Sequence, residues 1–180
     1  MRIAAMALAV MALAGSAAVA QEPEHGMIDT LIQEAKAAYG MQKTFILAAA
    51  DAMPEADYSF KPTPEIRSYG QLFEHVAQAQ QMACAIIAGK TPASSAAGAS
   101  TKAAMMAELK ASFDTCDAAN ATVTATNALD VVGKGFLHGT RVGLIEKNAA
   151  HDNELYGTMS VYLRLKGIVP PSTAMHMKKK

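Results

Sequence analysis

From Met27 onward, apolar residues return every three or four positions in four separate stretches, and the return stops at prolines and glycines between them. Such spacing lays one apolar stripe along an α-helix. The first predicted helix runs from about Met27 to Ala52, on Ile28, Leu31, Ile32, Ala35, Tyr39, Phe45 and Ile46. It ends at Met53-Pro54, because proline cannot continue the hydrogen-bond ladder. Residues 54–67 carry Pro54, Pro62 and Pro64 beside Tyr58 and Phe60, keep no period, and read as a connection. The second helix starts at Ser68, an N-cap with Gln71 three residues on, which is the pattern of a capping box. Leu72, His75, Val76, Ala79, Ala83, Ile86 and Ile87 then share a face, and Gly89 closes the helix.

Residues 91–100 are small and polar and read as a loop. The third helix spans about Thr101 to Ala121, with Met105, Leu109, Phe113 and Cys116 on one side. Residues 122–139 are rich in Thr and Gly and read as a second loop. The fourth and longest helix covers about Thr140 to Lys166, with Leu144, Asn148, His151, Leu155, Met159 and Tyr162 in line. Gly167 stops it and Pro170-Pro171 forbid its return. Four amphipathic helices of this length bury their stripes most simply against one another, which predicts an all-α four-helix bundle.

The first twenty residues follow a different logic. Arg2 supplies a short positive start, Ile3 to Leu13 an uninterrupted apolar run, and Ala18-Val19-Ala20 the small-x-small pattern that signal peptidase reads. Residues 1–20 are therefore expected to be a signal peptide cleaved after Ala20. No Cys follows the site, which argues against a lipoprotein. No later segment has the roughly 18 apolar residues that span a bilayer, so no membrane span is expected after cleavage. The expected location is periplasmic or secreted. Residues 21–172 would form the bundle, and residues 173–180, ending in three lysines, a disordered tail.

Export changes the reading of the two cysteines. Cys84 and Cys116 lie 32 residues apart in a chain expected to meet an oxidising compartment, where a pair tends to bridge. Two buried free thiols are the alternative. The spacing excludes a catalytic CxxC pair. The chain balances 16 Lys+Arg against 16 Asp+Glu, and without a basic cluster in its body it is a poor grip for nucleic acid. At 51% hydrophobic it is far too apolar for a disordered chain.

No nucleophile elbow, phosphate loop, dinucleotide fingerprint or haem-attachment motif is present. Of five histidines, His25 and His176 are near the termini and His138 lies in a predicted loop; each is most simply a solvated side chain. His75 and His151 instead fall on the apolar stripes of two predicted helices. In a bundle, such side chains can meet in the core and hold a metal, or each can be a core-edge histidine satisfied by a hydrogen bond.

The stretch Met53-Pro-Glu-Ala-Asp-Tyr-Ser-Phe-Lys-Pro-Thr-Pro-Glu, followed by Ser68-Tyr-Gly-Gln-Leu-Phe-Glu-His75-Val-Ala, resembles the preface to the second helix in the DinB-like (YfiT-like) superfamily. The end of the chain, His151-Asp-Asn-Glu-Leu-Tyr-Gly157 and then Tyr162-Leu-Arg164-Leu-Lys-Gly167-Ile-Val-Pro-Pro171, resembles the last helix of its exported branch. The resemblance implies a four-helix bundle, often a homodimer, with one divalent ion (zinc, nickel or iron) held by three histidines. One histidine would come from the second helix and two from the last, at i and i+4. It also implies metal-dependent hydrolase or thiol-transferase chemistry, in which the ion lowers the pKa of bound water or of a thiol.

His75 matches the first ligand and His151 the second. The third place is residue 155, which is Leu and coordinates nothing. Glu154, at i+3 from His151, could reach the same region, giving a metal set of His75, His151 and Glu154. On the other reading the site is degenerate, and Leu155 simply continues the apolar stripe. Function divides in the same way: an exported metal-dependent enzyme, or a non-catalytic bundle that binds a small molecule or a protein partner. A third reading, metal handling by Met175-His176-Met177, rests on a soft-ligand triplet at the tail.

Overall fold

The computed structural model describes residues 16–92, 98 and 100–177. Most of the expected signal peptide, part of the 91–100 loop and the three final lysines lie outside them. The described chain is an all-α bundle of four long helices: α1 (Ser16–Ala52), α2 (Tyr69–Ile87), α3 (Lys102–Ala121) and α4 (Arg141–Leu165). A short α5 (Pro171–Met177) follows. α1 packs mainly on α4, and α2 packs on α3 and α4. Among the described residues, no helix is long and apolar enough to cross a membrane.

Local sequence sets the helix starts. Ser68 Oγ accepts from Gln71 N at 3.3 Å and Ser68 N donates to Gln71 Oε1 at 2.8 Å, completing the capping box. Thr101 and Thr140 cap α3 and α4 by accepting from Ala104 N and Gly143 N. Gly89 and Gly167 take left-handed backbone (φ 71° and 72°) just beyond α2 and α4, where glycine carries no Cβ penalty.

The stripes face inward as the spacing predicts. Ile32, Ala35, Tyr39 and Ile46 of α1 are buried, as are Leu109, Phe113 and Cys116 of α3 and Leu144, Leu155, Met159 and Tyr162 of α4. Leu31 departs from its expected place, at 46% exposure; its neighbour Ile32 takes the inward position. α1 also begins earlier than the Met27 start expected from the stripe. A stripe marks only the part of a helix that has something to pack against, and the helix runs on before Met27 through Pro23 and Gly26, which local propensity does not explain.

Hydroxyls on aromatic rings secure the connections. Tyr58 and Tyr69 donate to Ala50 O and Ala49 O at the end of α1, and Tyr162 of α4 donates to Arg67 O. The 54–67 connection is thereby folded over one end of the bundle, around tilted and edge-on contacts among Tyr58, Tyr69, Phe73 and Tyr162.

Two expectations about irregular segments change. The 122–139 loop contains an antiparallel ribbon that ends one residue into the expected last helix. Its strands are β1 (Val131–Val132) and β2 (Gly139–Thr140), joined by a 3-10 turn at Gly135–Leu137. Gly133 is indispensable to this ribbon: its φ is 74°, and a Cβ there would sit 1.9 Å from Leu137 O. Two-residue strands are too short to leave a period in the sequence. The tail, expected to be disordered from residue 173, is helical to Met177. Pro171 suits the first helical position. Ser172 N donates to Tyr156 Oη and Tyr156 Oη donates to Ser172 Oγ, both at 2.8 Å. Arg164 adds a bond to Thr173 Oγ1. These partners lie on α4, so the local sequence could not announce them.

Cys84 of α2 and Cys116 of α3 are joined by a disulfide, with Cα atoms 5.0 Å apart. Among the described residues, no cysteine is free. The loop it closes is worth about 3–4 kcal/mol in the chain-entropy account. Urea unfolding with and without dithiothreitol should therefore show a loss of that order on reduction. An unchanged midpoint would mean that the crosslink does not constrain the unfolded chain.

Candidate functional site

α2 and α4 run antiparallel, as three contacts along their length show. Tyr69 lies against Tyr162, Gln80 against Asn148 and Asp152, and Ile87 O accepts from Arg141 Nη1. This pairing places His75 opposite His151. Their Nε2 atoms are 3.3 Å apart and the rings meet edge to face. One nitrogen must carry the proton and the other accept it. Both imidazoles are pushed below the ordinary histidine range, chiefly by burial, with the Arg67 charge in the same direction and Glu154 opposing. The pair is therefore neutral near neutral pH.

A buried polar chain lies behind His151. Asn148 Nδ2 donates to Gln80 Oε1 at 2.7 Å, and Gln80 Nε2 donates to Asp152 Oδ2 at 2.5 Å. Gln80 and Asp152 are fully buried. Burial pushes the Asp152 carboxyl up to about 7, against the pull of the Gln80 bond. Its second oxygen, Oδ1, and His151 Nδ1 have no hydrogen-bond partner among the described residues and face each other at 4.0 Å. An Nδ1–H tautomer of His151 points its proton toward this carboxyl and leaves Nε2 to accept from His75.

The same face borders a cavity of about 1000 Å³, at the upper end of ordinary ligand pockets, about 300–1000 Å³. α2 contributes His75, Ala79, Met82, Ala83 and Ile86 to its wall, and α4 contributes Lys147, Asn148 and His151. The ribbon closes one side with Val132, Phe136 and Leu137. Arg141 bonds the last turn of α2 and lies 3.6 Å from Asp130, holding the ribbon, α2 and α4 in one frame.

The sequence profile of the DinB superfamily matches residues 43–157, more than half of the chain. The chain belongs to the DinB superfamily. No curated protein matches it. The matched segment runs from the later half of α1 nearly to the end of α4 and so includes every expected ligand position of the family.

Of those positions, this DinB-superfamily bundle brings two together. His75 and His151 meet, whereas Leu155, at the third place, is buried in the core at 6% exposure. Glu154 is exposed on α4, and its charge opposes the downward shift of both histidines. Among the described residues, no three His, Cys, Asp or Glu side chains are grouped to hold a metal ion. The three-histidine donor set of the family is not present, because a buried alkyl group fills the place of one donor. His25, His138 and His176 are exposed, as expected of solvated residues. The Met175-His176-Met177 triplet lies in α5, where successive side chains point about 100° apart and do not converge.

Sequence reasoning missed Gln80 and Asp152 and saw Asn148 only as part of a stripe. A polar residue in each of two facing stripes was the available signal.

The Asp152 carboxyl generates a pH prediction. Because its folded pKa lies above the unfolded value, ionisation on unfolding lowers stability as pH rises from about 4 to about 7. Asp152→Asn removes that term. The stability of the variant relative to the parent should rise across this window, by up to about 4 kcal/mol. A difference independent of pH, measured by denaturant unfolding at several pH values, would mean that Asp152 titrates normally.

Proposed function

We propose that this protein is an exported DinB-superfamily bundle that binds a small molecule in the α2/α4 cavity. In this reading its ancestral metal-dependent hydrolase or thiol-transferase chemistry was lost with the third metal ligand. One observation carries the reading: the cavity borders a neutral histidine pair whose third partner position is the buried Leu155. Two imidazoles alone hold a divalent ion weakly, and a catalytic centre of the zinc type needs three protein ligands and an open position. The cavity needs no metal to take a ligand. Apolar walls offer burial, and the histidine pair offers a directional donor or acceptor. The signal-peptide pattern of residues 1–20 and the Cys84–Cys116 disulfide both support export.

Metal analysis of the purified, untagged protein tests the loss of the centre. The parent should carry well below one equivalent of zinc, nickel or iron after growth in metal-supplemented medium. Leu155→His should gain about one equivalent, because it restores i and i+4 imidazoles on one helix face. Adding His75→Ala should abolish the gain. Circular dichroism on each variant separates loss of metal from loss of fold. One equivalent in the parent, removed by His75→Ala in a folded protein, would overturn the reading and point to Glu154 as the next residue to replace.

A further inference from the structure

The charge on the cavity wall is lopsided. The whole chain balances 16 basic against 16 acidic side chains, yet the lining contains Lys90, Lys134 and Lys147 and, among the described residues, no Asp or Glu. Lys90 follows the end of α2, Lys134 is on the ribbon and Lys147 is on α4, so the three reach the cavity from separate elements. Lys147 is held in place: its Nζ donates to Phe136 O at 2.8 Å and lies 5.0 Å from the centre of the Phe136 ring. One such bond leaves two ammonium protons for a ligand. Asp152 is sealed behind Gln80, and Glu154 lies outside the lining, although its charge reaches His75 and His151.

Most of the rest of the wall is apolar, with His75, Gln78, Thr91, Asn148 and His151 as its neutral polar members, and part of the apolar surface is exposed. Phe136 is 78% and Met82 49% exposed. An open phenyl ring and thioether beside ammonium groups suit a ligand that is part alkyl chain and part anion. Burial of the alkyl part supplies affinity, and the lysines select the head group.

We infer that the ligand is an amphipathic anion, an aliphatic chain ending in an anionic head group. It would lie between α2, α4 and the ribbon, with its head toward Lys90, Lys134 and Lys147. This inference rests on the ligand-binding reading above and names the class of molecule bound there.

Dansyl-undecanoate fluorescence tests it with the full chain, each ionic competitor kept below its critical micelle concentration and dodecanol below its solubility limit. Dodecanoate should displace the probe at least about tenfold more tightly than dodecanol or dodecyltrimethylammonium, and acetate should not displace it. The triple variant Lys90→Gln, Lys134→Gln, Lys147→Gln should weaken dodecanoate by about tenfold while leaving dodecanol unchanged. Ala79→Phe, which fills the cavity from α2, should abolish displaceable binding in a protein that keeps its circular dichroism.

Equal affinity for dodecanoate and dodecanol, unmoved by the lysine changes, would overturn the anionic class while leaving the cavity as a binding site. Full binding in folded Ala79→Phe would place the ligand elsewhere and overturn both readings, as would the failure of every probe to bind.

Discussion

The side chain of Gln80 is the constraint on which the site depends. It is buried without access to water, and its two ends are different chemical groups. The carbonyl accepts from Asn148 and the amide donates to Asp152, one turn further along α4. A buried amide left unpaired costs on the order of 1–3 kcal/mol, so α2 and α4 are held in the one register that satisfies both ends. One turn along α2 from Gln80, the disulfide from Cys84 ties the same helix to α3. The facing of His75 and His151 follows from this register; a one-turn slip of α4 would carry His151 past its partner.

This polar clamp also explains why the site keeps a carboxyl group so poorly suited to its surroundings. A fully buried Asp152 has little to gain from ionising, and its pKa rises accordingly. As an acceptor from Gln80 it serves whether protonated or not. Beside it, His151 Nδ1 meets only that carboxyl, which biases the tautomer and presents Nε2 to His75. In metal proteins an arrangement of this kind orients a ligating histidine. Here it orients one imidazole toward another, and the position that would complete a centre belongs to the hydrophobic core.

The cavity shows how irregular segments supply function on a regular scaffold. The helices contribute small and apolar wall residues, but enclosure comes from a ribbon of two-residue strands held by Gly133 and by Arg141. That ribbon brings Phe136 and Lys134 to the cavity wall. A chain with no net charge thus presents a locally cationic, apolar concavity, because the sign of a surface depends on which side chains are gathered and not on their total.

By itself the sequence determined the four long helices, their inward faces and the cap at Ser68. Those features follow from interactions within about four residues, and a period of three to four is directly readable along the chain. It also put His75 and His151 on inward stripes and exposed the break in the ligand pattern at Leu155. Only the tertiary structure decided that the two histidines meet, that Glu154 faces solvent, and that Gln80, Asn148 and Asp152 form one chain. It alone decided that residues 171–177 dock as α5 on Tyr156 and that Lys90, Lys134 and Lys147 line one cavity. Each of these depends on the register between elements far apart in the chain. That register is set by burial and hydrogen-bond satisfaction between helices, which leave no periodic trace in either partner.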